Sequence, residues 1–162
     1  MKDILQLLAE KGELGESNLA LIKQYIEKWQ LSPYEAMLET HIISEDRLAD
    51  QLAEIYQVQR VITIEEHELQ VESFEKINYE EAKDLKCILL NVNSSPKPLL
   101  VVADPSQDGL QKFLAKLPFS YQLAIAESTV IEEAIDRFYP IEQQLPSLFR
   151  GIDPKSRSTD NE

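Results

Sequence analysis

The side chains able to do chemistry in this sequence are few, and their spacing assembles no reactive set. His41 and His67 stand far apart, with no third ligand at metal spacing, so exposed or capping imidazoles are expected in place of a zinc site. Cys87 is the only cysteine, which excludes an internal disulfide and a thiolate cluster. Its place in the apolar run CILLNV predicts a packed thiol, not a nucleophile. Glu65, Glu66 and Glu68, and likewise Glu132, Glu133 and Asp136, could hold calcium or exchange protons, but no Asp-x-Asp-x-Asp-Gly loop accompanies them and solvated faces are expected. Nothing marks any serine as strained or activated. A Gly-x-x-x-x-Gly-Lys-Ser/Thr phosphate loop is missing from a sequence with only four glycines, which excludes ATP hydrolysis by these residues. The reading is that of a protein that is not an enzyme, with no catalytic residue, no cofactor and no metal.

Bulk properties narrow the partners. A length of 162 residues with 43% apolar side chains allows one ordinary domain, or two small ones, with a real core. The net charge of −13, without any basic cluster to offset it locally, repels nucleic acid and anionic lipid. Lys2 is followed by Asp3 and Glu10 with no cleavage site, and no apolar run approaches the roughly 18 residues of a membrane span. A protein neither secreted nor inserted in a membrane is expected, in a reducing cytoplasm.

The elements that position these side chains centre on residues 37–56, MLETHIISEDRLADQLAEIY, where one helix ends, a connector turns and a second helix begins. Ser44 can accept from the free N–H groups of the next turn, Glu45 and Asp46 complement the positive end of that helix, and Leu48, Leu52, Ile55 and Tyr56 recur at helical spacing. Upstream, Ile4, Leu5, Leu7 and Leu8 form a short apolar face ending at Gly12, and Leu19, Ile22, Ile26 and Trp29 form a stripe on a second helix. Ser32 and Pro33 open a third helix as cap and first helical residue. Trp29 and Tyr34 read as core, or alternatively as an anchor exposed for a partner. A faint repeat lays Leu8 over Met37, Gly12 over His41 and Leu19 over Leu48 at one offset of 29 residues, as a duplicated helix–turn–helix unit would.

From Val58 the pattern changes, which sets a boundary between a helical subdomain, 1–57, and a small α/β subdomain, 58–140. Val61, Ile62 and Ile64 are β-branched and closely spaced. Residues 71–74 and 79–85 read as helical turns, 87–92 as a strand, 93–98 as a hairpin turn and 99–102 as the returning strand. A helix with Leu110, Phe113, Leu114 and Leu117 on one face follows. Next come a strand over 121–126 and a last helix, opened by a Thr129-x-x-Glu132 capping box and burying Val130, Ile131, Ala134, Ile135 and Phe138. This order describes an α+β fold: four helices, then a three- or four-stranded sheet covered by helices on one side. Beyond Pro140 periodicity fades, and 141–162 reads as a tail or linker, disordered at its end.

Three of these stretches together resemble the N-terminal domain of the type II secretion and type IV pilus assembly ATPases: LETHIISEDRLADQLAEIYQV at 38–58, LLVVADPS at 99–106 and AESTVIEEAIDRFY at 126–139. The resemblance covers roughly residues 1 to 140. It implies a non-catalytic adaptor that docks the ATPase onto the cytoplasmic part of an inner-membrane platform protein. The chain would then be cytoplasmic and peripheral to that membrane only through its partner. The motor domain would follow, unless the protein is a free-standing relative. An apolar face on the first two helices, formed by Ile4, Leu8, Leu19, Ile22, Ile26 and Trp29, is the expected contact.

Some members of the family bind cyclic di-GMP through two tandem motifs, each opening Arg-Leu-Gly and carrying a later Gly-Leu-Ile-Ser. The repeat has that spacing, but Asp3 and Ser32 stand where arginines are wanted, Leu5 and Tyr34 replace the early glycines, and Gly12 is matched by His41 in the second copy. An arginine fork pairs with phosphate and glycine lets backbone approach a ligand, so the repeat is read as retained packing and cyclic di-GMP is not expected. A regulatory domain binding it through degenerate motifs is the alternative.

Overall fold

A computed structural model describes residues 4–91 and 97–150, the last five of them by backbone only. The helical half comprises α1 (Ile4–Glu10), α2 (Glu16–Trp29), α3 (Pro33–Glu39) and α4 (Glu45–Tyr56). Local chemistry fixes where they start. Ser32 Oγ accepts from Glu35 N at 3.1 Å while Ser32 N donates to Glu35 Oε1, a reciprocal cap with Pro33 at the first position. Ser44 Oγ accepts from Arg47 N at 3.1 Å.

The repeat is borne out in the coordinates. α1 and α3 end at Glu10 and Glu39, and α2 and α4 begin at Glu16 and Glu45, all at one offset. Both connectors turn through a left-handed residue, Gly12 (φ 84°) and His41 (φ 56°), and Leu8 and Met37 are both fully buried. Arg47 clamps Glu13 through two hydrogen bonds of 2.9 and 2.7 Å, and Lys11 reaches Glu54 at 2.8 Å, so each helix pair holds the other.

The α/β half contains β1 (Gln59–Arg60), α5 (Val71–Lys76), α6 (Tyr79–Leu85), β2 (Cys87–Leu90), β3 (Leu99–Val102), α7 (Asp108–Ala115), β4 (Gln122–Ile125), α8 (Ser128–Phe138) and α9 (Ile141–Arg150). The four strands lie in the order β1-β4-β3-β2, with β2 and β3 antiparallel and the other pairs parallel. The predicted hairpin is thus present, although most of its turn lies outside the described residues.

Three expectations need correction. Every residue of β2 and β3 is buried, so both sheet faces are covered. The helical half supplies part of that cover, since α4 packs on β4 and β1 while α6 and α8 pack on β2. The start of α8 also departs from the predicted capping box: its N-cap is Glu127, which makes no cap bond, and Glu132 pairs with Lys86 at 2.6 Å. Finally, 141–150 is helical, not a tail. Ile141, Leu145, Leu148 and Phe149 do recur at helical spacing, a signal that the reading of a tail passed over, and glutamines fasten the helix. Gln143 accepts from Tyr79 N at 2.9 Å and donates to Phe74 O, and Gln144 donates to Asp136 O and Tyr139 O. The rest of the expected tail, 151–162, lies outside the described residues.

One apolar core runs through both halves, from Ile4, Leu8, Ile22, Leu48 and Leu52 to Ile88, Leu100, Leu110 and Ile135. Each such side chain contributes about 1.5–3 kcal/mol of burial free energy.

Candidate docking surface

The reactive side chains are placed as structural groups. Cys87 is fully buried, and desolvation pushes its thiol up to about 12. Asp136 accepts from Tyr79 Oη at 2.9 Å and Lys83 Nζ at 3.1 Å. Glu68 closes a turn onto Glu65 N, and His41 and His67 are exposed. Among the described residues no group of three His, Cys, Asp or Glu is placed to hold a metal ion. No helix among them is long and apolar enough to cross a membrane.

Charge gathers where the halves meet. Arg60, whose side chain is only 12% exposed, donates to Asp46 Oδ1 at 2.9 Å, to Asp46 O at 3.1 Å, to Asp50 and to Glu127 Oε2 at 3.4 Å. Burial, with Glu45 nearby, raises the Glu127 carboxyl above its ordinary range against the pull of Arg60. Glu45 accepts from Thr129 N at 2.7 Å, Thr129 Oγ1 at 3.0 Å and Ser128 Oγ at 3.2 Å, and so caps α8 from another helix. Tyr34, from α3, is buried, and desolvation pushes its hydroxyl up to about 12. Asp104 is 6% exposed and accepts from Ser106 N at 3.0 Å and Ser106 Oγ at 2.6 Å; burial raises its carboxyl. These contacts join elements, and their donors and acceptors are spent on one another.

What remains open to a partner is apolar. Of the six residues expected to form the contact, Ile4, Leu8 and Ile22 are at most 1% exposed, and Leu19 and Ile26 pack half-buried against the core. The two helix pairs consume these side chains in packing on each other, so the expected face is interior. Only Trp29 of the six stands out, at 58% exposure, which also corrects its reading as core. It is the last residue of α2, where the chain leaves through left-handed Gln30. The surface face of α2 is instead the stripe Leu21, Tyr25 and Trp29, one step of four after another, with Leu21 40% exposed. Tyr25, Trp29, Leu31 and Glu39 line a concavity of about 440 Å³, and Lys28 Nζ lies 5.2 Å from the indole centroid. Leu21 and Tyr25 stand at the same spacing of four as Trp29 but were not named from the sequence. Which side of α2 faces out depends on where α3 and α4 lie.

Two tandem helix pairs seated on a mixed four-stranded sheet, with Trp29 exposed at the end of α2, define the fold. The fold is that of a structure of MshE with cdg (cyclic di-GMP), at 19% identity and TM-score 0.66, covering 86% of this chain and 100% of that one. It is also that of the N-terminal domain of XpsE, at 16% identity and the same coverage, with TM-scores of 0.64 and 0.54 in two crystal forms. A family model, the MshEN domain, matches residues 56–145, more than half of the sequence. The chain belongs to that family, the N-terminal domain of secretion and pilus assembly ATPases. No curated protein matches the sequence.

Proposed function

We propose that this chain is a non-catalytic docking domain of a type II secretion or type IV pilus assembly ATPase, gripping the cytoplasmic part of an inner-membrane platform protein and held at the membrane only by that grip. The α2 stripe supports this reading. An indole at 58% exposure beside a tyrosine and two leucines is the kind of rigid, amphipathic anchor that dominates protein interfaces. The proposed contact is therefore Leu21, Tyr25 and Trp29, with Leu19 and Ile26 beneath them. Calorimetry against the cytoplasmic domain of the cognate platform protein tests it. A Trp29→Ala, Leu21→Ala double variant, altered only at exposed positions, should weaken binding at least about 30-fold, or 2 kcal/mol, with little change in melting temperature. Undiminished binding refutes the site.

Cyclic di-GMP is the second reading, favoured by the helix-pair repeat and by the relative solved with that ligand. Against it, Leu5 and Tyr34 are buried core side chains at positions where the motif needs glycine. Titration of the nucleotide is expected to give no heat. Saturable micromolar binding would replace docking with regulation as the leading role.

A further inference from the structure

The concavity at the end of α2 sets a carboxylate beside two aromatic rings. Tyr25 and Trp29 stand one turn apart on α2, Leu31 follows just past the helix end, and Glu39, the last residue of α3, completes the lining. Glu39 is exposed and has no ion-pair partner among the described residues. Glu27 and Lys28 line the adjoining hollow together, one charge of each sign. The Trp29 cup is therefore left with one unbalanced negative charge. Lys28 Nζ, 5.2 Å from the indole centroid, is a cation already drawn to that ring.

Resting on the docking role proposed above, we infer that this cup receives an arginine side chain of the partner protein, its guanidinium laid on an aromatic ring and its N–H fork on Glu39. Charge and ring geometry select this occupant. An apolar side chain would cover Glu39 and strand its charge away from water. A quaternary ammonium has no N–H to give a carboxylate and is held where rings enclose it, whereas this cup is open and offers an acceptor. A lysine brings a compact, strongly hydrated charge. Arginine is flat and weakly hydrated, and it can stack on a ring and pair with a carboxylate at once. An anionic membrane meets Glu39 within a net charge of −13, and a second copy of this chain brings that same net charge. Residues 151–162 hold Asp153, Asp160 and Glu162 against Lys155 and Arg157, so they too carry a net negative charge toward Glu39.

Trp29 is the only tryptophan in the sequence, so its emission reports on the cup directly. The test titrates two short peptides into the full chain, identical except for a central arginine in one and its neutral isostere citrulline in the other. The arginine peptide should shift the emission saturably and bind at least about tenfold more tightly than the citrulline peptide, a preference that shrinks as salt rises. Glu39→Gln, altered at an exposed position, should cut the preference to about twofold or less and weaken binding of the platform protein's cytoplasmic domain at least about tenfold. Equal binding of the two peptides, no saturable shift up to about 10 mM, or a preference that survives Glu39→Gln overturns the inference. If the Trp29→Ala, Leu21→Ala variant weakens platform binding and Glu39→Gln does not, docking stands and the arginine contact falls. If neither variant affects the platform domain but the peptide preference depends on Glu39, the arginine cup stands and that partner falls. At least about tenfold tighter peptide binding after Lys155→Gln, Arg157→Gln would give the cup to the chain's own residues, and dimerisation lost in Glu39→Gln would give it to a second copy; either result overturns the inference.

Discussion

Glu45 fastens the helical half to the start of α8, beside the Arg60 cluster that also links the halves, and its removal should be felt by the whole fold. Its carboxylate sits in the first turn of α4 and also accepts three hydrogen bonds from Ser128 and Thr129 at the start of α8. Two helix N-termini therefore converge on one negative charge. Losing a side-chain cap costs about 1 kcal/mol, and losing a carboxylate beside a partly exposed helix N-terminus costs about 0.3–1 kcal/mol for each helix. Glu45→Ala should then destabilise the chain by about 2 kcal/mol. The loss stops there because the freed Thr129 N–H lies near the surface and regains water. For a chain of this size each kcal/mol moves the midpoint by about 2–4 °C, so calorimetry should show a melting temperature lower by about 4–8 °C. Glu45→Gln keeps an acceptor while removing the charge and should fall between the two. A Glu45→Ala midpoint within about 1 °C of the parent would show that α8 is capped adequately by water and that apolar packing alone joins the halves.

Other expectations follow from single residues. Asp104 has its carboxyl raised by burial, so the folded state holds that proton more tightly than the unfolded one, and its contribution to stability falls as pH rises from about 3.8 through the raised value. Asp104→Asn, which can keep the bond from Ser106 N, should gain stability relative to the parent between pH 3.5 and 7 in paired urea titrations; a difference independent of pH refutes this. The Cys87 thiol, fully buried and pushed up to about 12, should be inert to a disulfide reagent in native buffer and react fully on denaturation. Gly12 has φ 84° and open space around its Cα, so Gly12→Ala should cost about 1 kcal/mol through backbone conformation alone, measured as a shift in urea midpoint.

Much of the fold was legible because it is written in short-range chemistry. Ser32, Ser44 and Asn78 act on N–H groups three residues away, so their helix starts could be read from neighbours alone. The same logic misread Thr129. There Glu45, more than eighty positions earlier, takes the role that Glu132 was expected to share, and Glu132 turns to Lys86. α9 was anchored by contacts that sequence could not show: Gln143 and Gln144 satisfy backbone groups of other elements. The docking surface was half legible. The periodicity of α2 located its apolar residues, but the side facing water depends on α3 and α4, and the buried side had been chosen.

The connector within the second helix pair, with the α4 turn that follows it, joins the parts of the fold. Ser44 starts α4, Glu45 caps α8, and Asp46 and Asp50 hold the nearly buried Arg60 of β1. Arg47 faces the other way and clamps Glu13 in the connector of the first helix pair. Four successive residues thus tie the first pair, the second pair, the edge strand and the last long helix into one body. The Arg60 cluster sets three carboxylates around one guanidinium, and such an arrangement loses most of its energy if the halves part and leave like charges facing one another. A partner that grips Trp29 therefore sets the orientation of the sheet and of α9 as well. The proposed docking role requires such a rigid connection.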